Sequence, residues 1–196
     1  MRALDRGRPG ATPRAIHRWA AATARSAPDA ALPDDDPFVA AATVAGYPDA
    51  AADLRAALAD PDRPCPTLTG PGVAGWWTRR QLHETLVHRL DLAEALGAPA
   101  EADPAVAADC VAEVLDTMQP RQVRLGRMAQ PDTAVRLTTP AGTATLGRGP
   151  VVAEVSGPAP VVALLLWRRT TPEDPRLTVT GDRAAAADLL ARPITP

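Results

Sequence analysis

The 196-residue sequence has a formal net charge of −2 and is 46% hydrophobic. That length suits one large or two small domains, and that charge argues against nucleic acid as an electrostatic partner. No apolar run reaches the roughly 20 residues that span a bilayer, and the arginine-rich start is followed by no apolar signal core, so a cytoplasmic protein without membrane contact is expected.

Composition also shapes the core. Much of the apolar content is alanine, with four tryptophans as the bulky exceptions, so helices should approach closely around a few large rings. There is no lysine and no asparagine, a bias that fits a GC-rich coding sequence. Cys65 and Cys110 lie in unrelated contexts and read as free thiols, Cys65 in an exposed loop and Cys110 buried in a helix.

In chain order, residues 1–13 combine arginine, glycine and proline without an apolar period and read as a disordered arm. Ala15 to Arg25 reads as a helix with Ile16, Trp19, Ala20 and Thr23 on its inner face and His17 half-exposed. Ser26 to Tyr47 is mostly loop, in which Asp34, Asp35 and Asp36 read as a solvated turn or helix cap. Pro48 to Ala59 is a short helix with Leu54 and Leu58 inward, and Asp60 to Gly75 a proline-broken linker.

Trp76 to Gly97 is the long periodic segment. Leu82, Leu86, Leu90 and Ala93, widened by Val87 and Leu96, define an apolar stripe. Thr78 with Gln81 suggests a capping box, and Gly97 followed by Pro99 supplies the stop. Glu84 and His88 are four residues apart, so both side chains rise from one face of the helix. A carboxylate and an imidazole in that arrangement are a ligand pair of the kind zinc takes, and Asp91, a turn later, is placed to orient the imidazole. The same residues also read as ion pairs, Arg80 with Glu84 and His88 with Asp91. A zincin site is excluded, because His83 and His88 are five apart and about 140° apart around the helix.

Asp103 caps a further helix that runs to Gln119, with Pro104 in its first position and Val106, Val111, Val114 and Leu115 apolar. From Pro131 the period becomes alternating. Val135 and Leu137, then Thr143 to Leu146, form a hairpin through Pro140-Ala141-Gly142, and Val151 to Val155 is a third strand. A helix opens at Gly157-Pro158-Ala159-Pro160 and runs through Trp167; Arg176 to Thr180 is a strand, and Asp182 starts the last helix. Gly147-Arg148-Gly149 lacks the context of a phosphate loop and reads as a strand-end turn.

The run Trp77, Arg80, His83-Glu84-Thr85, Val87-His88-Arg89 and Asp91 resembles the motif of the mycothiol-dependent maleylpyruvate isomerase family. Gly157-Pro158-Ala159, Leu166-Trp167-Arg168-Arg169 and Gly181-Asp182 resemble that family's small C-terminal domain. The resemblance implies an α+β protein: an incomplete DinB-like helical bundle over 14–128, then a sterol-carrier-like domain of order βββαβα over 129–196. It implies a divalent metal, usually zinc, on Glu84 and His88, with Asp91 behind them. The family's third ligand, a histidine on an earlier helix, falls near Thr12, where this chain has none; His17 is displaced from that place by about five residues. Relative to the family, the first bundle helix and the front half of the second are missing, as though this chain began late. Mycothiol is the implied cosubstrate, which fits an actinobacterial source, and a small electrophile the implied substrate. Arg168 or Arg169 is then placed to receive a substrate carboxylate. The family activity, cis-trans isomerisation or thiol transfer, is the expected function. The alternative is a relative that has lost the metal site and serves as a binding or structural module.

Overall fold

A computed structural model describes residues 13–34, 38, 46–98 and 101–196. The expected arm, apart from Pro13, lies outside the described residues, as do Asp35, Asp36 and the position of Thr12. The chain divides into two compact units, residues 1–85 and 86–196, so each is taken by itself.

In the first unit α1 (Pro13–Arg25) lies against α2 (Tyr47–Ala57), followed by β1 (Pro64–Thr67), β2 (Gly70–Val73) and the start of α3 (Ala74–Ala95). Alanines let the helices approach: Ala20, Ala21, Ala24 and Ala57 form one buried cluster with Leu54, Cys65, Ala74 and Trp77. Trp77 is its largest member. It meets Trp19 edge-on at 5.3 Å and Trp76 at 4.8 Å, and its Nε1–H donates to the Pro66 carbonyl at 2.8 Å. That bond ties α3 to the strand pair and satisfies the one polar atom of a buried indole.

Several sequence expectations are corrected here. The Asp60 to Gly75 stretch contains an antiparallel hairpin, with Cys65 opposite Gly72 and Thr67 opposite Gly70. A two-stranded ribbon has outward-facing N–H groups that need no partner, so it tolerates the prolines that read as a linker. Cys65 consequently points into the core rather than into a loop, and burial pushes its thiol pKa up, with Arg63 opposing the shift. α3 begins at Ala74, which places Thr78 inside the helix and removes the capping box. Its buried side carries Ala74, Trp77, Arg80, Gln81, His83, Leu86, Val87 and Leu90, while Leu82 and Leu96 are 49% and 71% exposed. The stop is as expected: Gly97 has φ +61°, its N–H reaches the Glu94 carbonyl, and the Ala98 N–H reaches that of Ala93, the paired bonds of a Schellman cap.

The second unit contains the rest of α3, then α4 (Pro104–Glu113), a wide turn at Val114–Met118, and α5 (Gln119–Arg124). Asp103 caps α4 by accepting from the Ala105 N–H at 2.8 Å. In the wide turn the Gln119 N–H reaches back five residues to the Val114 carbonyl. Pro120 accounts for this, because it has no N–H to donate and its ring would crowd the carbonyl four residues earlier. The later elements follow the expected chain order βββαβα. β3 (Ala134–Thr139), β4 (Gly142–Gly147), β5 (Val151–Ser156) and β6 (Thr178–Gly181) lie in the sequence β4-β3-β5-β6, with β3 and β5 parallel and the other pairs antiparallel. α6 (Ala159–Leu166) makes the crossover to β6, and α7 (Arg183–Ala191) follows it. Val135, Leu137, Leu146 and Val155 are buried at 1% exposure or less, the alternation of a sheet with one covered face. The described residues are therefore mixed helix and sheet, as the α+β expectation required.

Candidate functional site

The chemistry-bearing side chains centre on α3. In the first unit, His17 on α1 is buried and not half-exposed, with 3% of its surface accessible. It gains a partner there: its Nδ1 stands 2.9 Å from Gln81 Oε1, within the buried interior. Because that amide oxygen can only accept, the proton of this bond belongs to Nδ1. The Tyr47 ring lies 5.4 Å from the imidazole. From sequence Gln81 reads only as half of a capping box with Thr78, not as the partner of His17.

One turn on from Gln81, Glu84 is engaged by the Arg80 guanidinium at the i, i+4 spacing. The Arg80 side chain is only 6% exposed and that of Glu84 16%, so this is a partly desolvated pair and not a surface one. A buried guanidinium without a carboxylate partner carries a desolvation cost of several kcal/mol. The ion-pair reading of Arg80 and Glu84 is therefore realised.

In the second unit, Asp91 sits between His88 and Arg169. His88 Nδ1 is 3.8 Å from Asp91 Oδ2, an ion-pair distance but longer than a hydrogen bond. Arg169 Nε meets both carboxylate oxygens of Asp91, at 3.0 and 3.1 Å. Of the two arginines expected to receive a carboxylate, Arg169 thus holds one belonging to the protein itself, while Arg168 is exposed. The backbone explains how Arg169 reaches Asp91. α6 ends in a second Schellman cap, with the Arg169 N–H on the Leu164 carbonyl and the Arg168 N–H on that of Leu165. Arg168 occupies the left-handed position at φ 58°, where glycine is usual. No local pattern marks this turn, since arginine is not a residue expected there.

Do these residues fit a metal? Glu84 and His88 both rise from α3 at ligand spacing. Yet among the described residues no group of three or more His, Cys, Asp or Glu side chains could hold one ion. Glu84 is committed to Arg80 and His17 Nδ1 to Gln81. A zinc site takes three or four protein ligands, and this arrangement does not supply them.

These features define a mixed helix-and-sheet protein with a histidine- and carboxylate-bearing helix joined to a small four-stranded domain. Two family domain models match it: the mycothiol maleylpyruvate isomerase N-terminal domain over residues 2–93, and the C-terminal domain of the same family over 105–188. The chain belongs to the mycothiol-dependent maleylpyruvate isomerase family. Searches among curated proteins and among solved structures return no match. No helix of the described residues is long and apolar enough to cross a membrane.

Proposed function

We propose that the chain is a mycothiol-dependent isomerase or thiol transferase acting on a small electrophile with an activated double bond. The observation that carries the reading is the pair of family matches, one on either side of 94–104, with the motif residues Arg80, Glu84, His88 and Asp91 on one continuous helix. Under this reading the N-terminal part is a DinB-like bundle and the C-terminal part a sterol-carrier-like domain.

In the isomerase reaction the mycothiol thiolate adds to one carbon of the cis double bond, whose π electrons move toward the conjugated carbonyl. Rotation about the resulting single bond and expulsion of the same thiolate give the trans isomer. Thiol and electrons are returned, so no oxidant or reductant is consumed. A transferase would keep the new carbon–sulfur bond and protonate the neighbouring carbon.

The chain's own residues have definable tasks. Asp91 orients His88, and Arg169 fixes Asp91 in turn; Gln81 holds the Nδ1 of His17. Arg168 or Arg169, side by side after α6, is the arginine to which this reading assigns a substrate carboxylate. Glu84 and His88 are the residues to which this reading assigns a divalent ion, zinc by family, with His17 as the candidate third ligand. When bound, such an ion lowers a thiol pKa from its ordinary value of about 8.5. Among the described residues no third ligand joins Glu84 and His88.

Elemental analysis of the purified chain beside Glu84→Ala and His88→Ala tests the metal assignment. Near-stoichiometric zinc that is lost in both variants supports it, and a metal-free parent chain refutes it. Binding of mycothiol to the parent chain, followed by calorimetry, tests the cosubstrate separately.

A further inference from the structure

The continuous helical segment from Pro104 to Arg124 carries a buried stripe of mixed character. Ala107, Cys110, Val111, Val114 and Met118 are apolar, Glu113 and Thr117 are buried with them, and Gln119 and Gln122 continue the burial at 7% and 2% exposure. Two of their amide atoms, Gln119 Nε2 and Gln122 Oε1, are buried without a hydrogen-bond partner. Orphaned groups of this kind are uncommon, because an unmade hydrogen bond in the interior forfeits the whole hydration of the group.

The simplest remedy would be a bond between the two glutamines. They are three residues apart and therefore neighbours on the helix, and one orphan is a donor while the other is an acceptor. They do not make that bond. A group that accepts from one amide and donates to the other completes both, and a hydroxyl does both at a single atom.

We propose that Gln119 and Gln122 form a hydrogen-bonding site for a hydroxyl-bearing ligand, namely the hydroxyl-rich portion of the thiol cosubstrate. The choice of mycothiol rests on the function proposed above; the hydroxyl chemistry rests on the two orphaned atoms alone. Pro120 supports the arrangement. By forcing the five-residue turn before Gln119, it adjusts the phase of the helix so that both glutamines stay on the buried side. A buried water is the competing occupant, since it has the same donor and acceptor capacity.

The test uses the full chain with Gln119→Met and Gln122→Met, substitutions that keep side-chain length and remove the polar atoms. Because the orphans destabilise the unliganded protein, both variants should melt no lower than the parent. Mycothiol should bind each about tenfold more weakly, or 1.4 kcal/mol, while N-acetylcysteine, a thiol without the hydroxyls, should bind all three chains alike. A lower melting point in either variant, or unchanged mycothiol affinity, overturns the proposal in favour of an internal partner or a water. If the parent binds no mycothiol, the proposed function falls, and glucose decides the site independently. A larger glucose-induced rise in melting temperature for the parent than for the variants upholds it, and equal shifts overturn it.

Discussion

Replacing Trp77 by phenylalanine isolates what holds the motif helix to the hairpin. Trp77 is 1% exposed, and its Nε1–H is the donor to the Pro66 carbonyl at 2.8 Å. Phenylalanine keeps most of the ring but leaves that carbonyl buried without its donor, a loss of about 1–3 kcal/mol. The smaller ring also weakens the edge contacts with Trp19 and Trp76, where an aromatic pair contributes about 0.5–1.5 kcal/mol beyond burial. Together these give a destabilisation of about 2–4 kcal/mol, which lowers the melting temperature of the 196-residue protein by roughly 5–15 °C. Urea unfolding followed by far-ultraviolet circular dichroism measures it, with Trp76→Phe as the control because that ring is less buried. A cost below about 1 kcal/mol would refute the claim that this bond joins α3 to the strand pair.

Other outcomes follow from the same reasoning. Arg168→Gly should stabilise the protein by about 1 kcal/mol, since it removes the side-chain crowding of a left-handed residue, and Gly97→Ala should destabilise it by a similar amount; thermal melts of the two variants should move in opposite directions. Cys65 and Cys110 are both fully buried, so neither should react with a disulfide reagent in the native protein, and two thiols should titrate after unfolding. Asp174 is held well below the ordinary carboxylate range, first by the Arg176 guanidinium at 2.6 and 2.9 Å, with further bonds from the Arg176 N–H and the Thr170 hydroxyl. Its folded pKa lies below the unfolded value of about 3.9, so the stability it contributes is complete above that value and is lost as pH falls beneath it. The stability gap between the parent and Asp174→Asn should therefore be constant from neutral pH to about 5 and close below about 4.

The second unit was legible because its strands alternate and its helices carry their own punctuation. Asp103-Pro104, Gly157-Pro158-Ala159 and Asp182 each mark a helix start by a mechanism that works within a few residues. The hairpin at 64–73 was not legible, because Pro64, Pro66, Gly70, Pro71 and Gly72 erase the strand pattern while being tolerated in a narrow ribbon. The face of α3 was misread for a related reason. Counting apolar residues selects Leu82, yet the buried side is set by Ala74 and Trp77 and continues through Arg80 and Gln81. Those polar residues can be buried only because Glu84 and His17 answer them, and a partner 64 residues away leaves no trace in a local pattern. Arg169 on Asp91, 78 residues apart, is legible in the fold alone.

The most direct test of the account is to incubate the purified chain with maleylpyruvate, with and without mycothiol, and follow the cis and trans olefinic protons by nuclear magnetic resonance. The account predicts conversion to the trans isomer, or a mycothiol adduct, only when mycothiol is present. Unchanged maleylpyruvate and mycothiol under the same conditions would contradict it and leave a non-catalytic member of the family.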